Sequence, residues 1–410
     1  MSRAYLAVIA SCLLAPLPAF AVWGTKARAC PSWEARLAAL EASGEDPASS
    51  RLRRLRNKID GRCVALNEVQ ALGSHNSFHI QARPALFSLL QAFDAALAAS
   101  LEYTHIPLGQ QFTQYGVRQI ELDVFADPDG GLYNLRRGLL LIGQPADSGI
   151  PALEEPGFKV LHVQDVDFET TCVTFVECLR VVKAWSDANR GHLPIAILVE
   201  LKEDAIPDPV HLGFTVPLPV LGPDMDELDA EIRSVFPKNQ VLTPDDVRRE
   251  RPTLEDAILT LGWPRLDAVR GKVLFLMDNG GAKRDIYVTG HPALEGRMIF
   301  TNSTPGDPDA AFVKLNDPFD PAIPTTVAAG YIVRTRADAD TVEARTGDTA
   351  PREAALASGA QFVSTDYYRP NPDFGTGYFV EIPDGMPGRC NPVSSPAGCR
   401  VEGLERLRTP

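Results

Sequence analysis

The sequence predicts an α/β fold, a (β/α)8 TIM barrel carrying an N-terminal helical hairpin, from three observations. Eight short apolar runs recur between residues 68 and 368. Helical or long irregular segments separate them, which calls for parallel pairing through right-handed crossovers. The first four runs each carry polar side chains at or near their ends, where a barrel presents its functional groups. An open doubly wound sheet is the alternative. The first strand–helix turn has no GxGxxG, which weakens a dinucleotide-binding version of it.

Taken in order, residues 1–21 read as a secretory signal, with Arg3, an apolar core from Tyr5 to Leu17, and the small-residue site Ala19-Phe20-Ala21. That core is too short to span a bilayer. A lipoprotein reading at Cys12 would leave it shorter still. The expected location is therefore secreted or periplasmic. Residues 22–66 are expected to form a helical hairpin, with Trp33, Leu37 and Leu40, then Leu52, Leu55 and Ile59, at helical spacing around a Gly/Pro/Ser break. The barrel is expected over 67–380. Its strands fall at 68–74, 117–125, 159–163, 193–201, 271–279, 297–303, 330–336 and 360–368, with helices including 84–100, 174–190, 225–236 and 351–358. Segments 204–224 and 303–325 are rich in Pro and Asp and read as loops. Residues 381–410 read as an irregular, surface-lying tail.

Composition is that of a globular protein, 45% hydrophobic and 23% charged over 410 residues. A formal net charge of −13 argues against nucleic-acid binding. A monomer is expected. Beyond the signal, Cys30, Cys63, Cys172, Cys178, Cys390 and Cys399 remain, an even number that points to disulfides in an exported chain. Near neighbours give Cys30–Cys63, Cys172–Cys178 and Cys390–Cys399. A zinc site is the weaker reading, because no CxxC pair occurs.

The first run, within "LGSHNSFH", ends in His75 and Asn76; the second carries Glu121 and Asp123; the third carries His162; the fourth carries Glu200 and Lys202. Residues two apart share a strand face. Glu121 and Asp123 therefore point together into the barrel, and Ile120, Leu122 and Val124 face the helices. Two inward carboxylates repel and resist desolvation, a conflict that a cation resolves. Three carboxylates and an Asn carbonyl are hard oxygen donors suited to Ca²⁺, with Mg²⁺ as the alternative. The imidazoles of His75 and His162 remain free for proton transfer. A dication, two histidines and a lysine together suit phosphoryl transfer. Plainer readings stand beside these. Glu121 and Asp123 are open to a structural ion-pair cluster with Arg118 or Arg136, Asp165 and Asp167 to capping or loop roles, and His79 and His105 to structural ones. Asp278, Asn302 and Asp366 end later strands and can line the pocket.

"GSHNSFH", "RQIELDVFAD", "KVLHVQDVD" and "LPIAILVELK" resemble, in order, the catalytic-barrel motifs of phosphatidylinositol-specific phospholipase C, in its bacterial, secreted, calcium-dependent branch. "LEYTHIPLGQQ" and "AQFVSTDYY" also resemble that branch. The resemblance implies that His75 stabilises the phosphorane-like transition state and that His162 protonates the departing diacylglycerol oxygen. It implies that Asn76, Glu121, Asp123 and Glu200 ligate Ca²⁺. Glu121 or Glu200 would take the proton of the inositol 2-hydroxyl, whose attack gives a cyclic inositol phosphate. Lys202 and Arg334, near strand ends, are further candidates for phosphate contacts. The expected partners are phosphatidylinositol or a related phosphodiester and, transiently, a membrane surface. The third motif runs "LHVQD" where the family more often has Gly after the histidine. The rivals are a glycerophosphodiester phosphodiesterase on the same barrel and a non-catalytic lipid or inositol-phosphate binding module. The first usually shows His-Arg where this chain has His75-Asn76.

Overall fold

The structure, a computed structural model, describes residues 30–407. The expected signal segment 1–21 and Cys12 lie outside the described residues. The strands are β1 Val69–Ser74, β2 Gln119–Phe125, β3 Lys159–Val160, β4 Ile195–Lys202, β5 Val273–Met277, β6 Ile299–Phe300, β7 Phe312–Lys314, β8 Ile332–Arg336, β9 Phe362–Thr365 and β10 Gly388–Cys390. Eight pair in parallel in the order β6-β5-β4-β2-β1-β9-β8-β7. A lone parallel bridge, Asn302 to Phe312, joins β6 to β7 and nearly closes the barrel. Ile120, Leu122 and Val124 are fully buried. They share a core with Phe175, Leu179 and Val182 of the helix Phe175–Ala188. All of β2 is buried, and it is this packing on the helix that leaves Glu121 and Asp123 for the inward face.

One expected barrel strand is replaced by another. The run at 159–163 is not a stave. Its first two residues form β3, antiparallel to the upper end of β2 through Val124–Val160 and Phe125–Lys159. β1 pairs with β2 only at Gly73–Gln119, so the two diverge and β3 takes the vacated edge. The eighth stave is β7, inside the segment 303–325 read as a loop. It is three residues long, and the Pro and Asp around it hide its period. The helix expected over 84–100 breaks into Pro84–Phe93 and Ala95–Ser100, because the Asp94 carboxylate accepts from the N–H groups of Ala96 and Leu97.

Outside the barrel, α1 Cys30–Ala42 and α2 Ser50–Arg62 pack through Leu37, Leu52 and Ile59. Disulfides join Cys30 to Cys63, Cys172 to Cys178 and Cys390 to Cys399. The C-terminal segment is not a loose surface tail. β10 pairs antiparallel with β1, and Glu405 reaches the barrel floor. There its Oε1 lies 2.5 Å from Arg118 Nε and accepts from the Leu193 N–H at 2.7 Å, while Arg118 Nη2 reaches Oε2 at 2.8 Å. Arg118 is buried, so it serves the floor rather than pairing with Glu121. Removing one partner of a buried pair strands the other charge. Glu405→Ala should cost about 3–5 kcal/mol of stability, read by chemical denaturation.

Candidate active site

The two histidines reach the mouth by different routes. His75 follows β1, where its N–H donates to the Thr365 carbonyl at 3.0 Å. Its Nδ1 lies 2.8 Å from Asp366 Oδ1. Its Nε2 faces Arg336 Nη1 at 3.3 Å and Glu121 Oε1 at 3.7 Å. Burial, then the Arg336 charge, pushes the imidazole down to about 3, against the pull of Asp366. Asp366 is held well below the usual carboxylate range although burial opposes it, because His75 and Arg336 favour its charged form. Asp366, held on Nδ1, fixes the ring so that Nε2 faces Arg336 and Glu121. His162 follows β3. Its Nδ1 lies 2.7 Å from Asp167 Oδ2, and buried His79 holds the same carboxylate through Nε2 at 2.9 and 3.0 Å.

The acids lie beside His75, and His162 is joined to Asn76 through Asp167, His79 and the Tyr103 ring. Register places Asp123 beside Glu200 across β2 and β4. Ligand oxygens of Glu121, Asp123 and Glu200 lie within 4.8 Å of one another. Burial raises Glu121 to about 7 against the opposing charge of Arg334, and lifts Asp123 well above the usual carboxylate range, with Glu200 adding to it. Both Asp123 oxygens are buried without a hydrogen bond, and so is Asn76 Oδ1. Asn76 adopts φ 40°, the left-handed region that Asn tolerates best among larger residues. Its Nδ2 donates to Tyr103 Oη at 3.0 Å, which assigns the amide nitrogen and leaves the oxygen for another partner. Orphaned buried acceptors beside clustered carboxylates form a donor set that fits a hard dication.

Cations ring the acids. Lys202 Nζ sits 3.6 Å from Asp123 and 3.4 Å from Glu200. Arg334 Nη2 donates to Glu121 at 2.6 Å and its Nη1 to Asn316 at 2.5 Å. Those bonds make Arg334 an ion-pair partner of Glu121 in this structure. Lys314 pairs with Asp278 at 2.5 Å. His105 Nε2 donates to the His75 carbonyl at 2.7 Å, a structural role.

Sequence reasoning missed several of these groups. Arg336 lies two residues beyond Arg334, at the same spacing that linked Glu121 to Asp123, and that spacing was a usable signal. Asp366, read only as a pocket-lining residue, holds His75. Asp167, read as a loop residue, holds His162. Lys314 was hidden in the overlooked β7. Tyr103 sits in "LEYTHIPLGQQ", whose resemblance to the family was the one signal, but its role depends on a loop fold that places its hydroxyl against Asn76.

An unpaired buried carboxylate costs stability that a neutral amide does not. In chelator, Asp123→Asn should therefore stabilise the protein by about 1–2 kcal/mol wherever the pH is alkaline enough to charge this raised carboxyl. Chemical denaturation reads it, and an unchanged or lower stability would contradict the strain assigned to Asp123.

Comparison with known proteins follows this geometry. No curated protein matches the chain. A solved calcium-dependent phosphoinositol-specific phospholipase C from a Gram-negative Pseudomonas species is similar at 14% identity and TM-score 0.49, covering 80% of this chain and 95% of that one. A Ca²⁺-dependent phosphatidylinositol-specific phospholipase C from Streptomyces antibioticus aligns at 17% identity and TM-score 0.45, covering 76% and 97%. The family model described as phosphoinositide phospholipase C, Ca²⁺-dependent, matches residues 64–392. The chain belongs to the Ca²⁺-dependent phosphoinositide phospholipase C family of enzymes.

Proposed function

We propose that this protein is a calcium-dependent phosphodiesterase that cleaves phosphatidylinositol into diacylglycerol and a cyclic inositol phosphate, acting in the barrel over 67–380. The observation that carries the reading is the acid cluster with its orphaned acceptors, set beside His75. Asn76, Glu121, Asp123 and Glu200 would hold the calcium ion, with Mg²⁺ as the lesser candidate. Bound there, the dication would offset charge on the phosphate oxygens and acidify the attacking 2-hydroxyl.

The chain's own residues divide the remaining work. Glu121 or Glu200 accepts the 2-hydroxyl proton. Arg336, beside His75, adds positive charge on that side, where His75 steadies the pentavalent phosphorus. His162, oriented by Asp167, donates its Nε2 proton to the departing diacylglycerol oxygen. Lys202 tempers the charge between Asp123 and Glu200 and is available to a phosphate oxygen. The attack of an internal hydroxyl needs no water in the first step, which favours a cyclic product.

The three disulfides fit an oxidising compartment. Among the described residues no helix is long and apolar enough to cross a membrane. With the signal read at 1–21, the disulfides support a secreted or periplasmic location, and the lipid substrate implies a transient meeting with a membrane surface.

Phosphorus NMR of phosphatidylinositol digestion tests the reading. A cyclic phosphodiester signal should appear with Ca²⁺ and vanish with chelator. Release of glycerol 3-phosphate from deacylated lipid, with phosphatidylinositol untouched, would transfer the assignment to the glycerophosphodiesterase class. His75→Ala and His162→Ala should each lose about 10²–10⁴ in rate while the fold is retained by circular dichroism. Metal binding carries a second signature. Glu121, raised to about 7 by burial, has a proton to lose when calcium binds. Its raised value means that the metal-free fold loses stability as pH climbs from about 4.5 to about 7. The calcium-induced rise in Tm should therefore be larger above about pH 7 than below it. Differential scanning calorimetry measures this, and a pH-independent shift would remove Glu121 from the ligand set.

A further inference from the structure

We propose that a cationic groove under the barrel floor binds a soluble anion carrying two or more phosphate groups. The groove lies at the end of the barrel opposite the mouth. One wall is α2, which leads into the start of β1. The other is the C-terminal segment, where the Arg406 N–H donates to the Gly191 carbonyl at 2.8 Å, just ahead of β4. A parallel barrel's strands all start from its floor, so both walls belong there. The groove holds about 400 Å³ and is lined chiefly by Arg54, Lys58 and Arg62 of α2, by Arg406 and by Asp267. That volume is ordinary for a small-molecule site. α2 and Arg406 both lie outside the span 64–392 that matches the family, so four of these five side chains are additions to its barrel.

The sequence of α2, SRLRRLRNKIDGR, carries six cations and one acid, in a chain whose acids outnumber its bases 53 to 40. Leu52 and Ile59 pack with Leu37 of α1. That leaves Arg54, Lys58 and Arg62, four residues apart, on one outer face, and all three are exposed. Gly61 stands beside them in the last turn. A Cβ there would meet Asp267 Cβ at 3.2 Å, Arg406 Nη2 at 3.3 Å and Arg270 Nη1 at 3.5 Å. Glycine is disfavoured within a helix, and here it lets two guanidinium groups close on the backbone.

Positive charge is under-compensated in this groove. Arg54 has no ion pair or hydrogen bond among the described residues. Lys58 lies 3.9 Å over the Trp33 ring. Arg406 donates to the Asn57 carbonyl, and Arg270 to the Leu404 carbonyl at 2.7 Å. Burial, then the Arg406 charge, pushes Arg270 down to about 10. Of the two nearby acids, Asp267 sits 3.4 Å from Arg62, and Asp60 is buried and bonded to Arg400 at 3.0 Å. The adjoining cleft is balanced by contrast, with Arg53, Arg56 and Arg400 set against Glu41, Asp60 and Glu402.

Charge and size identify the ligand. Four cations lining the groove against one acid call for more than one negative charge. Guanidinium groups pair with phosphate through parallel N–H donors. From Arg54 to Arg62 the helix rises about 12 Å, room for two phosphate groups. Under the catalytic reading above, the mouth meets the lipid, so the floor faces solution and its ligand is soluble.

The test is isothermal titration calorimetry of the full chain with tripolyphosphate, in chelator at low salt. Arg54→Glu with Lys58→Glu should weaken binding by about tenfold or more. Arg51→Glu with Arg53→Glu makes the same change in net charge outside the groove and should alter binding by less than about twofold. Circular dichroism should show the parent fold in both. No binding by the parent overturns the proposal. So does equal weakening in the two double variants, which is long-range attraction only, and so does undiminished binding in the first, which puts the anion elsewhere. Sedimentation with phosphatidylcholine vesicles containing phosphatidic acid separates the sources of phosphate. Vesicle binding that Arg54→Glu with Lys58→Glu abolishes, without binding of tripolyphosphate, would give the groove to a lipid headgroup and overturn the soluble ligand. None of these readouts uses turnover, so failure of the catalytic reading would be seen separately.

Discussion

The governing constraint is electrostatic: a barrel mouth has to hold Glu121, Asp123 and Glu200 close together, two of them buried. Water solvates such a group poorly at that depth, so the barrel supplies charge of the other sign. Arg334 reaches in from β8 and Lys202 from β4. Neither satisfies Asp123, whose oxygens have no hydrogen-bond donor. The site is therefore balanced only in part, and the remainder is affinity held ready for a dication. Stability given up in this way is typical of a site shaped for binding rather than for folding.

A second constraint is topological. A closed parallel barrel has no spare edge at its rim. Here β1 parts from β2 after one paired position, and β3 settles on the freed edge. That departure carries His162 to Asp167 and against the His79 ring. It also lets Ser77 bond both ways with Glu121, donating its N–H to the Glu121 carbonyl at 2.9 Å and accepting the Glu121 N–H on Oγ at 2.8 Å. The irregularity of the barrel and the placement of its second imidazole are one feature.

Much of this was legible in the chain. Period-two spacing on β2 and β4 put Glu121, Asp123, Glu200 and Lys202 where they stand, because a strand with one apolar face leaves its register no choice. The motif around His75 and Asn76 announced itself by sitting at a strand end. What escaped was what depends on pairing rather than pattern. A three-residue strand such as β7 has no period to read, so Lys314 went unseen. The run containing His162 looks like any other strand, and only its antiparallel partner shows that it is an extension of β2. Asp167 and Asp366 act through contacts 5 and 291 residues away along the chain, and no local signal distinguishes them from loop acids.

The barrel floor has a consequence of another kind. Arg118 and the Leu193 N–H find their acceptor in Glu405, almost at the end of the chain. Asp60 of α2 likewise waits for Arg400. Arg118 and Glu405 lie 287 residues apart and Asp60 and Arg400 lie 340 apart, so each pair closes a loop that spans most of the barrel. Contacts of such separation form late, and the floor gains its counter-charges only when the two ends of the barrel have met.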